Sequence, residues 1–155
     1  MDINSIIKEF CERYSIEGVA PEKDGSTFFK VDDQEVIILK SPTEESITIV
    51  AEFGEPPEDS SAKFSELLLK ANFLYMTTEG GTISQNPANN RYVFMLPLRL
   101  ERLDTDGFIQ KLDLFLVKID EFKTLLREFT PEGEDPQKEK SLDSETPLTA
   151  FSQMI

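Results

Sequence analysis

The residues in this sequence whose types and spacing could do chemistry are few: one cysteine, Cys11, and the adjacent acids Asp32 and Asp33. A cysteine acts as a nucleophile only as the thiolate, which a neighbouring cation or histidine must favour. Cys11 instead shares an apolar helical stripe with Ile3, Ile6, Ile7, Phe10 and Tyr14, with no evident cationic neighbour, so a small core residue is the preferred reading over a nucleophile. Asp32 and Asp33 would suit a metal or an acid/base pair if both faced one cleft. Adjacent residues of a strand point to opposite faces, and Asp is a favoured turn residue, so turn chemistry is the expectation. The 155 residues include no histidine, which removes Ser/His/Asp and Cys/His catalysis and the usual zinc site. Nothing matches a phosphate-binding glycine loop, a dinucleotide turn, a CxxC pair or an EF-hand loop. Among 30 acids, no pair is singled out for acid/base work.

Charge narrows the partners. Thirty Asp and Glu against 16 Lys and Arg give a net charge of −14, which disfavours nucleic acid and anionic membranes. A lone cysteine makes no intrachain disulfide, so nothing points to an oxidising compartment. The start, Met1-Asp2-Ile3-Asn4, lacks the basic and apolar regions of a signal peptide, and no apolar run approaches the roughly 20 residues of a membrane span. A cytoplasmic protein without cofactor, metal or catalytic residues, and without membrane insertion, is expected.

The elements that would position any site follow from periodicity. Residues 3–16 predict a helix capped by Asp2 and stopped by Gly18 and Pro21. The period then becomes two. Thr27–Val31 and Val36–Leu39 flank the polar connection Asp32-Asp33-Gln34, and Ile47–Phe53 follows after a turn, predicting a three-strand antiparallel meander. Residues 44–59 hold six acids and no base, which reads as a solvated acidic edge or as a surface for a basic ligand segment.

A second helix begins at Ser60 or Ser61. Phe64, Leu67, Leu68, Ala71 and Tyr75 make one stripe, and Leu69, Phe73 and Met76 a second, so this helix must be covered on more than one side. A small domain has little interior for that, and a homodimer interface is preferred over a central helix in a monomer. Gly80-Gly81 breaks the chain before Thr82-Ile83-Ser84, a short strand candidate, and residues 86–90 are loop chemistry. Residues 91–100 give the strongest strand signal, with Pro97 marking an edge or a bulge. Asp104 caps a last helix, Thr105 to Phe129, whose Phe108, Leu112, Phe115, Ile119, Phe122, Leu126 and Phe129 repeat at heptad spacing. With so many phenylalanines, packing across a sheet is preferred over a coiled coil. The domain is expected to span residues 1–129. Residues 130–155, with six acids and two lysines, have the composition of a disordered acidic tail. Its Leu148, Phe151 and Ile155 carry a weak helical spacing, so the tip is either solvated or docked in an apolar groove.

The fold class is therefore α+β: helix, three-strand meander, helix, two strands, long C-terminal helix. That order resembles the class I chaperones of type III secretion effectors, the Tir chaperone family. The resemblance is carried by Leu67-Leu68-Leu69-Lys70-Ala71-Asn72-Phe73-Leu74, then Gly80-Gly81-Thr82-Ile83, then the strand Tyr92–Leu98 with its Leu-Pro-Leu end, and by the amphipathic last helix. It covers residues 1–129 and omits the tail. It implies a small acidic homodimer without enzymatic activity that holds the extended N-terminal segment of a secreted effector and keeps it soluble. The resemblance also implies dimer contacts at Leu69, Phe73, Met76 and Ile83, and effector contacts at Ile6, Phe10, Phe29, Val31, Val36, Ile38 and Val50. The alternative is another non-enzymatic binding module, such as an anti-toxin or anti-activator. A carboxylate-based hydrolase is a third reading and the weakest.

Overall fold

Alternation and helical periodicity mature into eight regular elements in the computed structural model, which describes residues 3–16, 19, 22, 25–42 and 45–129. Helix α1 is Ile3–Tyr14, two residues shorter than the apolar pattern suggests, because Ser15 turns into the left-handed region at φ 54°. Strands β1 (Thr27–Val31), β2 (Gln34–Lys40) and β3 (Ser46–Gly54) form the meander. Helix α2 is Ser61–Ala71, followed by a 3-10 turn at Phe73–Tyr75. Strands β4 (Thr82–Gln85) and β5 (Tyr92–Arg99) precede helix α3, Thr105–Glu128. Asp104 caps α3 by accepting a hydrogen bond from the Gly107 amide at 2.8 Å.

The five strands make one antiparallel sheet in the order β1-β2-β3-β5-β4. Asp32 and Asp33 form a two-residue turn between the paired residues Val31 and Gln34, and Asp32 takes φ 51°, a conformation Asp tolerates. Gln34, expected in the connection, therefore belongs to β2. Pro97 lies opposite Thr48 on β3, while β4 ends its pairing with β5 at Thr82 and Met95. Beyond Met95 that side of β5 has no strand neighbour, and a proline's missing donor costs least there.

One face of the sheet carries the core. Ile47, Ile49, Ala51 and Phe53 of β3 and Tyr92, Phe94, Leu96 and Leu98 of β5 are buried on it, with Phe29, Val36 and Ile38. Helix α3 lays Phe108, Phe115 and Phe122 along this face: Phe115 stacks on Phe94 at 5.1 Å, and Phe122 lies 5.4 Å from Phe53. Phe10 of α1 touches Phe29 and Phe108, and Phe64 of α2 touches Tyr92. The heptad spacing of α3 thus serves packing across a sheet. Gly81 is required where β4 meets β5, since a Cβ there would overlap the Phe94 ring and come within 2.9 Å of the Met95 carbonyl oxygen.

Candidate protein-binding surfaces

Several of the residues assigned to partner contacts lie inside the molecule. Ile6, Phe10, Phe29, Val36 and Ile38 are buried in the core, and so is Ile83. These are interior and not surface positions in the protomer: each points to the core between the sheet and the helices. Val31 and Val50 remain half-buried. On the other assigned interface, Leu69, Phe73 and Met76 are exposed by 69%, 57% and 50%, and Leu74 and Tyr75 stand out beside them.

That exposed cluster arises because α2 stops at Ala71. Leu74 and Tyr75 enter the left-handed region at φ 53° and 57°, so the second apolar stripe swings outward instead of continuing around a helix. Two contacts hold the outward turn in place. The Asn72 side chain donates to the Ile83 carbonyl at 2.9 Å and accepts from the Ile83 amide at 2.8 Å, acting as a one-residue strand on the edge of β4. Lys118 of α3 reaches Glu79 at 3.3 Å and Glu121 at 2.9 Å. Burial pushes the Lys118 ammonium down, but its hydrogen bonds to Glu121 and Glu79 prevail and hold its pKa above the ordinary value.

The two sheet edges differ. Asn72 occupies the β4 edge at Ile83, whereas β1, the other outermost strand, has no neighbour beyond it among the described residues. Val31 at the end of this strand is half-buried; on α1, Phe10 meets Phe29 of β1 at 5.5 Å and exposed Tyr14 at 5.2 Å, and Cys11 is half-buried. Burial pushes the Cys11 thiol up, which suits a packing residue and not a nucleophile.

The second face of the sheet carries no helix among the described residues. An aligned row crosses it through the pairs Phe28–Ile37, Ile37–Val50, Val50–Met95 and Met95–Thr82, one residue from each strand. An antiparallel sheet with one solvated face ordinarily turns polar residues outward, yet this row is apolar through four strands. Ile37, Val50 and Met95 of this row line part of a groove of about 700 Å³, whose walls also hold Asp33, Glu35, Glu52, Arg91 and Lys123. The pairing of β2 with β3 ends at Ile37 and Val50, and Gln34 bridges the gap through its side chain to the Glu52 carbonyl at 3.2 Å.

A polar clamp closes the rim. The Glu52 carboxylate accepts from Asn86 at 3.0 Å and from Asn89 at 2.8 Å, and pairs with Arg91 at 2.8 Å. The Asn89 hydrogen bond is the main cause of its lowered pKa; burial opposes it, and Asn86 and Arg91 add to it. Arg91 also reaches Glu55 at 2.7 Å. Two of the acids in the 44–59 stretch thus share one arginine, which offsets one of their two charges within the chain. Composition did not reveal this clamp, although an asparagine-rich loop ending on a lone arginine was its visible trace. Among the described residues, no group of three or more His, Cys, Asp or Glu could hold a metal ion, and no helix is long and apolar enough to cross a membrane.

A free strand edge, an apolar row across an open sheet face and an unpacked apolar turn are features of a module that binds other polypeptide chains. The sequence agrees: the profile of the Tir chaperone protein (CesT) family matches residues 5–123, and the chain belongs to that family. No curated protein sequence matches it. In fold it is similar to a chain in the crystal structure of the ExsC–ExsE complex, with TM-score 0.70 and 15% identity over 80% of this chain and 92% of that one. It is likewise similar to a chain in the HopA1–SchA chaperone–effector complex, with TM-score 0.63 and 13% identity over 82% and 94%. A chain in the heterodimeric ExoU–SpcU complex from the type III secretion system of Pseudomonas aeruginosa aligns with TM-score 0.57 and 16% identity over 77% and 93%.

Proposed function

We propose that this protein is a cytoplasmic, non-enzymatic chaperone that holds an extended segment of a type III secreted effector and keeps it soluble for export. The observation that carries this reading is membership of the Tir chaperone family across residues 5–123. The free edge of β1 supplies the means: an extended peptide satisfies its own backbone there by adding a strand, and places alternate side chains on either side of the sheet. Tyr14, Cys11 and Val31 receive one set of side chains and Phe28 the other. Ordering an unfolded partner costs free energy, which burial of its apolar residues offsets. The net charge of −14 keeps the loaded complex dispersed and favours basic or neutral segments. The working form is a homodimer joined through Leu69, Phe73 and Met76.

Co-expression of the full chain with N-terminal segments of type III-exported proteins, followed by affinity purification and calorimetry, tests this function. A soluble complex with one such segment is expected. Tyr14→Glu and Val31→Glu in the folded protein should each weaken it by about tenfold or more, equivalent to about 1.4 kcal/mol. Unchanged affinity in both variants would reject the β1 edge as the site. A catalytic toxin or a transcription regulator as the tight partner would replace the effector reading with the anti-toxin or anti-activator one.

A further inference from the structure

Backbone parity decides how much of the β1 edge a partner can use. The Ser41 amide donates to the Ser46 carbonyl at 2.9 Å, and hydrogen-bonded pairs alternate along an antiparallel ladder, so Leu39 and Ile37 carry the bonds from β2 to β3. Val36 and Ile38 then bond toward β1, where they face Phe29 and Thr27. Phe28 and Lys30, between these, direct both of their backbone groups away from the sheet. Ser26 has the same parity and confirms it: its carbonyl accepts from the Glu22 amide at 2.7 Å and not from β2. That contact closes the edge on one side, and Asp32 at φ 51° turns the chain away on the other. The open stretch is therefore short, with only Phe28 and Lys30 offering an outward amide and carbonyl that have no partner among the described residues.

The two sides of this stretch differ in chemistry. Phe29 is buried and turned inward, 5.5 Å from Phe10 of α1. Phe28 is exposed on the outer face, and the exposed Lys30 pairs there with Glu35 at 3.3 Å. An added strand running in either direction keeps the side-chain alternation of the sheet. We infer that the β1 edge takes a strand of about three partner residues, anchored on the backbone of Phe28 and Lys30 alone, with one apolar side chain turned inward opposite Phe29 and its neighbours turned outward beside Phe28 and Lys30. This rests on the effector-chaperone reading and adds to it the register, the length and the single inward residue.

Amide exchange of the free full chain, followed by NMR, tests the register first: Phe28 and Lys30 should exchange with solvent rapidly and Phe29 slowly. Protection of Phe28 and Lys30 at every concentration would overturn the proposal, and protection that grows with concentration would do so by giving the edge to a second copy. The probe for capture is the N-terminal segment of a type III-exported protein retained in the co-expression described above. In its complex the Phe28 and Lys30 amides should become protected, while Phe29 stays as it was. Lys30→Pro deletes an N–H that β2 does not use, so the protomer should stay folded and bind the segment about tenfold or more weakly. Lys30→Ala keeps that N–H and should bind within about twofold of the wild type. The amide readout is taken on the wild type and decides the matter even where the proline disturbs the fold. Unchanged exchange at Phe28 and Lys30 on binding, or equal affinities of the two variants, would overturn this register and leave the chaperone reading standing. No retained segment at all would reject both.

Discussion

A single side chain, Asn72, decides where the molecule is closed and where it stays open. By donating to and accepting from the Ile83 backbone, it satisfies both polar groups of that residue on the β4 edge. Asn72→Ala should therefore lower stability by about 1–3 kcal/mol, the cost of leaving backbone groups without partners. Chemical denaturation measures this, and a loss near zero would show that water replaces the amide. The Ala-Asn pair was legible in the sequence as a signature, but its task was not, because the partner Ile83 lies 11 residues away on another element. Ile83 shows the opposite failure: as an apolar residue beside an interface helix it read as interface, whereas strand parity turns it into the core. The same ambiguity misplaced Val36 and Ile38. The run Val36-Ile37-Ile38-Leu39 is apolar at every position, so no alternation tells the buried pair from the exposed one. Phe28 and Phe29 are likewise adjacent and identical, and only the register with β2 separates them.

Among the elements, those with clean periodicity were predicted within a residue or two. The sheet order, with β5 inserted between β3 and β4, was not, since pairing partners are set by how helices cover one face and not by local pattern. The loop between β4 and β5 shows what composition conceals. It is pinned to β3 by the Glu52 carboxylate, whose pKa is lowered first by the Asn89 hydrogen bond. The native state therefore binds a proton at this group less readily than the unfolded chain. The contribution is complete above the ordinary carboxylate range and is lost as pH falls through the lowered value. Amide signals of Asn86, Asn89 and Arg91 should accordingly titrate on acidification in the wild type and remain flat in Glu52→Gln. Identical acid titrations in both proteins would remove Glu52 from the clamp.

At the scale of the whole molecule, the helices bury one face of the sheet and leave the apolar turn at residues 73–76 uncovered, while one row of the outer face is apolar across four strands. Substituting Phe73→Asp, at a position already exposed by 57%, should leave the protomer folded while placing a charge in the proposed dimer contact. Light scattering should then show the mass halved, and the unfolding midpoint should lose its dependence on protein concentration. An unchanged mass would remove the turn from the interface. The second apolar stripe announced this surface in the sequence; the left-handed residues Leu74 and Tyr75 that expose it could not be foreseen, because neither type favours that backbone region. The distribution of phenols has a practical consequence. The chain has no tryptophan and three tyrosines: Tyr14 is exposed on α1, Tyr75 stands in the uncovered turn, and Tyr92 is buried, bonded to Ser65 at 2.8 Å. Ultraviolet emission from the unlabelled protein thus comes from one reporter at each proposed contact and one in the interior. Replacing Tyr14 or Tyr75 with Phe in turn assigns a change in emission to effector capture or to self-association, with no dye attached.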